Sequence, residues 1–191
     1  MRPLVVATQN PGKLAELQQY LQGLAWTLEI VPPELEIEEI GATFKENATL
    51  KATQAAQYTN KWAIADDSGL EVTALDGAPG LYSARYGASD KERIERLLRE
   101  LDAKPDRSAQ FVCVIAIASP DGNTVLHAEG ICPGEILGDC QGSGGFGYDP
   151  IFWVPEQKQT YAQMTKAVKR KISHRGRAMA VMLQKLQTLT S

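Results

Sequence analysis

Short unbroken apolar runs alternate along the chain with apolar sets at helical spacing, which predicts strands and helices in turn. Leu4 to Thr8 reads as a buried strand that Gln9-Asn10-Pro11-Gly12 breaks, and Leu14, Leu17, Leu21 and Leu24 then mark a helix with a stop at Gly23. Leu28 to Ile40 reads as extended, with Glu34, Glu36 and Glu38 alternating with Leu35 and Ile37. Thr43 and Glu46 form a capping box for a second helix through Phe44, Ala48, Ala52, Ala55 and Ala56. The run Trp62-Ala63-Ile64-Ala65 is a strand expected to end at Asp66-Asp67, followed by a separate extended piece over Glu71 to Ala74 and a turn at Gly77-Ala78-Pro79-Gly80. Ser89 and Glu92 cap a third helix with Ile94, Leu97, Leu98 and Leu101 inside. Phe111 to Ala118 and Thr124 to Glu129 predict a hairpin around Pro120-Asp121-Gly122-Asn123. Gly134 to Leu137 and Ile151 to Val154 predict further short strands, and a last helix carrying Ala178, Val181, Met182, Leu186 and Leu189 starts near Ser173. Strands and helices mixed in this way, with a hairpin in the middle, predict an α/β fold on a mixed sheet.

The length, 191 residues, suits one domain with a substantial core. A formal net charge of -3 argues against a general nucleic-acid coat. Positive charge is nevertheless concentrated in Lys166, Lys169, Arg170, Lys171, Arg175 and Arg177, which suits either a compact anion or a solvated helix face. Cys113, Cys132 and Cys140 lack the spacing of a disulfide framework or a zinc site. The first residues are too short an apolar run for a signal peptide, and no stretch has membrane-spanning length, so the cytoplasm is the expected location.

Five polar islands interrupt the pattern. Thr8-Gln9-Asn10-Pro11-Gly12-Lys13 offers loop amides and a cation to phosphate oxygens at a helix start. It departs from a P-loop at Ala7 and Leu14, and a plain strand–helix turn is its alternative. Glu46-Asn47 with Lys51 forms the second island, in which Asn47 and Lys51 share a helix face and Glu46 is accounted for by capping. In the third, Asp66-Asp67-Ser68, strand alternation sends the two carboxylates to opposite faces. Unpaired burial of either acid is costly, so metal binding or proton abstraction competes with an Asp-Ser-Gly turn. The fourth, Ser143 to Pro150, sets Phe146 between glycines where it can stack on a flat ligand, with Asp149 able to accept from a base edge; an aromatic-packed turn is the alternative. The fifth is Ser173-His174-Arg175-Gly176-Arg177, preceded by Lys169. Cations at a helix start call for an anionic partner. Together these supply a phosphate loop, cations, acids for a divalent metal and a stacking platform, which is the inventory of a nucleoside triphosphate site.

In order and wording the islands resemble the inosine triphosphate pyrophosphatase family. The matching pieces are Thr8-x-Asn10-x-x-Lys13, Phe44-x-Glu46-Asn47-Ala48-x-x-Lys51-Ala52 and Ala65-Asp66-Asp67-Ser68-Gly69-Leu70. They continue with Ala78-Pro79-Gly80-x-x-Ser83-Ala84-Arg85-Tyr86, Gly144-Gly145-Phe146-Gly147-Tyr148-Asp149-Pro150 and Ile172-Ser173-His174-Arg175-Gly176. The resemblance implies an elongated mixed β-sheet flanked by helices, ITPase-like and Maf-like, with residues 1–191 forming one nucleotide pyrophosphatase domain of two lobes and a central cleft. It implies a cytoplasmic, Mg²⁺-dependent homodimer, with neither a nucleic acid polymer nor a membrane as partner. The implied reaction cleaves the α–β phosphoanhydride bond of non-standard purine nucleoside triphosphates (ITP, dITP, XTP), giving the monophosphate and pyrophosphate.

Carried over by motif, Asp67 is the proton acceptor and a metal ligand, and Glu38 is a second metal ligand, with Glu36 and Glu39 as alternatives in the same acidic stretch. Thr8, Gln9, Asn10, Pro11, Gly12, Lys13, Lys51, Ser68, Phe146, Gly147, Tyr148, Asp149, Lys169, His174 and Arg175 bind substrate. Ala78 to Tyr86 is assigned to lobe packing or a dimer contact. Gln163 stands where the family often carries an acid. The nearest alternative is a related pyrophosphatase acting on modified pyrimidine or methylated guanine triphosphates. Beyond it stand a general phosphatase that releases orthophosphate and a nucleic-acid binder built on the C-terminal cations.

Overall fold

The computed structural model describes residues 2–37 and 39–189, the side chains of 187–189 excepted, so Glu38 and the Leu189 side chain lie outside the described residues. In chain order the elements begin with β1 (Arg2–Val6), α1 (Pro11–Leu21), β2 (Trp26–Ile30), α2 (Phe44–Thr59), β3 (Trp62–Val72) and α3 (Asp90–Glu100). They continue with β4 (Ser108–Ala118), β5 (Thr124–Ile136), β6 (Phe152–Val154), β7 (Gln159–Thr160), α4 (Lys166–Ile172) and α5 (His174–Leu189). The strands form one sheet in the order β2-β1-β3-β4-β5-β6-β7. Strand β1 pairs in parallel with β2 and β3, whereas β6 pairs antiparallel with β5 and β7, so the sheet is mixed and the fold is α/β.

Local chemistry sets the helix starts, at Thr43 and Ser89 as the sequence predicts and at Asn10 in addition. Asn10 caps α1 by accepting from the Lys13 amide, with Pro11 in the first turn where its missing N–H costs nothing. Thr43 caps α2 and Ser89 caps α3, each accepting from the backbone N–H three residues on. The reciprocal carboxylates, Glu46 and Glu92, reach one residue beyond the cap, to the amides of Ala42 and Ala88.

Four expectations are corrected. Strand β3 does not end at the acid pair but runs unbroken from Trp62 to Val72, absorbing the separate piece expected at Glu71. Both aspartates sit mid-strand because each finds buried cationic or amide partners, which removes the desolvation cost that would favour a turn. Strand β5 likewise joins two expected strands, and its burial alternates residue by residue from Ala128 to Ile136. Strand β2 stops at Ile30, before Pro32-Pro33, whose rings remove two ladder donors. Helix α4, capped by Thr165, was not expected, since its cation-rich sequence carries little apolar periodicity.

The chain divides into two units. The first comprises residues 1–67, 113–130 and 175–191, and its core gathers Leu4, Leu17, Ile64, Ile115, Ala178 and Met182. The second comprises residues 68–112 and 131–174, with Leu70, Leu97, Phe111, Phe152 and Tyr161 inside. Close approach of α2 to the first unit's sheet is permitted by Ala48, Ala52, Ala55 and Ala56, all fully buried. Ile115 is also fully buried. Ile115→Ala is expected to cost ~2–5 kcal/mol, read from urea unfolding as a lower midpoint at unchanged slope. A cost below roughly 1 kcal/mol would show that the first core closes around the missing methyls.

Candidate active site

Alternation along β3 gives its two central acids separate surroundings. Asp66 is 1% exposed, and its Oδ2 accepts from Arg175 Nε at 3.2 Å and Nη2 at 3.0 Å, with Lys13 Nζ at 3.3 Å. Arg175, also 1% exposed, donates through Nη1 to Glu16. One buried carboxylate thus ties α1, β3 and the start of α5. Burial alone would raise the Asp66 carboxyl, but the cations of Lys13, Arg175 and Lys51 outweigh it and hold the group well below the usual carboxylate range. Burial, with Asp66 adding to it, pushes the nearby Cys113 thiol up to about 12, so that sulfur stays protonated and unreactive.

Asp67, 6% exposed, is held through both oxygens by one face of α2. Its Oδ1 takes Lys51 Nζ at 2.9 Å, and its Oδ2 accepts from Asn47 Nδ2 at 3.2 Å. Lys51 also reaches Glu39 Oε1 at 2.7 Å, and the Asn47 Oδ1 accepts from the Gly41 amide at 2.8 Å. Burial would lower the Lys51 ammonium, but Asp67, Asp66 and Glu39 reverse that and raise it, so it stays charged. In the same unit, the loop after β1 is pre-shaped by its own side chains. Thr8 Oγ1 accepts from the Asn10 amide at 3.2 Å, and Asn10 Oδ1 from the Lys13 amide at 3.1 Å. Gln9, Asn10 and Pro11 are exposed and Gly12 is half-buried.

The second unit carries the remaining predicted residues. Asp149 Oδ2 accepts from the Phe146 amide at 2.9 Å and from Lys169 Nζ at 2.6 Å. Lys169 Nζ lies 5.0 Å from the centre of the Phe146 ring and 5.3 Å from that of Tyr161. Gly145 has φ +76°, and a Cβ there would overlap Asp149 Oδ2, so the loop requires glycine. The Gly147 amide donates to Asp90 Oδ2 at 2.7 Å. The Tyr148 hydroxyl donates to the Ser83 carbonyl at 2.9 Å, while Ser83 Oγ accepts from the Leu70 amide at 2.9 Å. The Ala78 to Tyr86 piece therefore braces the Phe146–Asp149 loop. His174 is buried, stacked on Phe111 with ring centres 4.6 Å apart. Ser68, half-buried, opens the second unit's part of β3.

Lys13, Lys51, Asp67 and Arg175 therefore gather in the first unit, while Phe146 to Asp149, Lys169 and His174 belong to the second. Cations at the start of α5 were expected to await an anion. For Arg175 the anions are Asp66 and Glu16 of the same chain. The sequence pairs Asn47 with Lys51 on one helix face, but the binding set implied by the resemblance includes only Lys51 of the two. Glu16 and Asp90 gave no signal, since their partners lie far away along the chain.

Among the described residues no group of three or more His, Cys, Asp or Glu side chains could hold a metal ion. Asp67 and Glu39, bridged by Lys51, are hard oxygen donors of the number Mg²⁺ takes from protein when phosphates complete its shell. The residues fit that ion and not a closed zinc centre.

The sequence profile of the Ham1 family matches residues 4–185. This chain belongs to the Ham1 family. A Nostoc sp. protein named dITP/XTP pyrophosphatase is 60% identical over 188 residues, covering 98% of this chain and 96% of its own length. A Synechocystis sp. protein of the same name is 61% identical over 178 residues, covering 93% and 92%. Among solved structures, a Ham1 protein from Coxiella burnetii superposes with a TM-score of 0.89 at 42% identity, covering 98% of this chain and all of that one. Among the described residues no helix is long and apolar enough to cross a membrane.

Because its folded-state value is depressed, Asp66 contributes stability that is present above the ordinary carboxylate pKa of about 4 and is lost as pH falls below it. Asp66→Asn removes the carboxylate that faces buried Arg175 and Lys13, leaving Arg175 only Glu16, and is expected to cost ~3–5 kcal/mol at pH 7. The variant should also show a weaker loss of stability on acidification below pH ~4 than the parent. Parallel acid-unfolding curves for the two proteins would refute this role.

Proposed function

We propose that this Ham1 chain hydrolyses the α–β phosphoanhydride bond of non-standard purine nucleoside triphosphates (ITP, dITP, XTP), releasing the monophosphate and pyrophosphate. The observation that carries the reading is Asp67, a buried carboxylate kept in one orientation by Lys51 and Asn47, in a unit that also presents the Thr8–Lys13 loop. The printed name of the Nostoc and Synechocystis relatives supports the substrate class and favours it over modified pyrimidine or methylated guanine triphosphates.

In this reading the Thr8–Gly12 loop, through its backbone N–H groups (Pro11 has none), and the Lys13 ammonium receive phosphate oxygens at the start of α1, where the helix dipole favours negative charge. Asp67 accepts the proton of the attacking water, and Lys51 beside it balances charge as the phosphates develop it. Asp67, with Glu38 or Glu39, would hold Mg²⁺, which when bound neutralises phosphate charge and polarises phosphoryl oxygens. In the second unit, Phe146 offers a ring face to the purine, and Lys169 and Asp149 fix the loop that carries it. Hypoxanthine and xanthine carry a keto oxygen at C6 where adenine carries an amine. A donor buried in the base site therefore faces another donor when ATP enters, and such a mismatch rejects the wrong base by up to ~10⁴–10⁵-fold. Ser68, Gly147, Tyr148, His174 and Arg175 complete the proposed binding set, the last two as supports for the surrounding groups. A cytoplasmic homodimer accords with the family resemblance.

Incubation with ITP, XTP, dITP, GTP, ATP and dTTP in Mg²⁺ should release pyrophosphate from the first three fastest, and EDTA should stop it. Release of orthophosphate instead would overturn the assignment. Asp67→Asn is expected to fold as the parent does but to lose at least ~10²-fold in turnover. Near-parental turnover in that variant would remove Asp67 from the chemistry.

A further inference from the structure

The first turn of α2 carries a buried side chain that touches Asp67 but to which the proposed reaction gives no part of its own. Asn47 is 2% exposed, and both ends of its amide are engaged. Its Oδ1 accepts from the Gly41 amide at 2.8 Å and its Nδ2 donates to Asp67 Oδ2 at 3.2 Å. Only a carboxamide does both at this length, since aspartate has no donor and leucine, of similar volume, has neither group. Gly41 has its own reason to lack a side chain. A Cβ at that position would lie 2.7 Å from Asn47 Oδ1, 2.7 Å from Glu46 Cβ and 3.0 Å from the Asn47 backbone nitrogen. The backbone at Gly41 thus comes close to the first turn of α2, where the Asn47 amide grips it.

A second link runs in parallel. Glu39, two residues before Gly41, reaches Lys51, which bonds the other oxygen of Asp67. Asp67, Asn47, Gly41, Glu39 and Lys51 form a closed circuit. One side is a neutral amide bonded to backbone, and the other is a charged side chain that can move. Only the neutral side keeps its geometry when a cation or phosphate arrives, because Lys51 is an ammonium on a flexible stem and responds to any new charge.

Resting on the reading of Asp67 as a metal ligand, we propose that Asn47 is a positioning residue that sets the separation between Asp67 and the acidic segment, with Gly41 as its required counterpart. Outer partners of this kind orient a ligating carboxylate, and their loss typically costs ~10–100-fold in metal affinity or activity.

The test uses the full chain with Asn47→Leu, Gly41→Ala and the double variant. Binding of Mn²⁺ alone is followed by electron paramagnetic resonance without nucleotide. The Mg²⁺ dependence of ITP hydrolysis is measured separately. Each single variant should bind Mn²⁺ ~10–100-fold more weakly and need correspondingly more Mg²⁺ for half-maximal turnover. KM for ITP at saturating Mg²⁺ should stay near the parental value. Because the two residues form one clamp, the double variant should be no worse than the weaker single one. Gly41→Ala leaves the buried amide in place, so it carries the test even if Asn47→Leu does not fold. Parental Mn²⁺ affinity in either folded variant, or effects that multiply in the double variant, would overturn the clamp. An unmodified chain that binds Mn²⁺ yet releases no pyrophosphate from ITP would instead defeat the proposed reaction, leaving the clamp to be judged on the Mn²⁺ data.

Discussion

The buried ion cluster on Asp66 is the constraint on which the first unit depends. A carboxylate in the middle of a strand, stripped of water, is tolerable only when cations enclose it, and Arg175 and Lys13 do so from two different helices. Such a cluster adds little net stability compared with apolar residues of the same volume, but it is costly to break. Its effect is therefore one of specification. Helices α1 and α5 cannot shift along β3 without leaving a buried charge exposed to nothing. Lys13, the cation in the first turn of α1, is held in register by the same carboxylate.

One residue further along, strand geometry turns the next carboxylate to the other face, and the same physics gives a different result. Asp67 has one cationic partner and one neutral one, both from α2. It is anchored without being enclosed. The helix that supplies those partners packs closely because its inner face is alanine, so a buried lysine fits there only in the company of Asp67 and Glu39. Adjacent aspartates thus differ in setting: Asp66 is enclosed by cations and fixes the framework, and Asp67, the base in the proposed reaction, is held by Lys51 and Asn47. The second unit follows a similar rule. Asp149 closes its own loop through the Phe146 amide and Lys169, and Gly145 alone fits the space that remains.

Much of this was legible before any coordinates. The capping residues of α1, α2 and α3 act over three residues, so the sequence contains both partners. The helical stripes and the β4–β5 hairpin are likewise local. The motif order pointed to the inosine triphosphate pyrophosphatase family because each island keeps its chemistry within a few neighbouring positions. What was misread shares one cause. The strand end expected at Asp66-Asp67 and the split of β5 were both judged from local polarity, whereas the answer came from residues far away in the chain.

Composition and spacing by themselves determined the α/β class, the starts of α2 and α3 and the presence of clustered cationic, acidic and aromatic groups, since these follow from short-range hydrogen bonding and periodicity. Only the tertiary structure decided which acid is enclosed and which is poised. It alone paired Arg175 with Asp66 and Glu16, and it alone revealed Asn47 gripping Gly41 and Asp67. Those outcomes turn on desolvation, and whether a charge or amide has lost its water is settled by what packs over it, not by its neighbours in sequence.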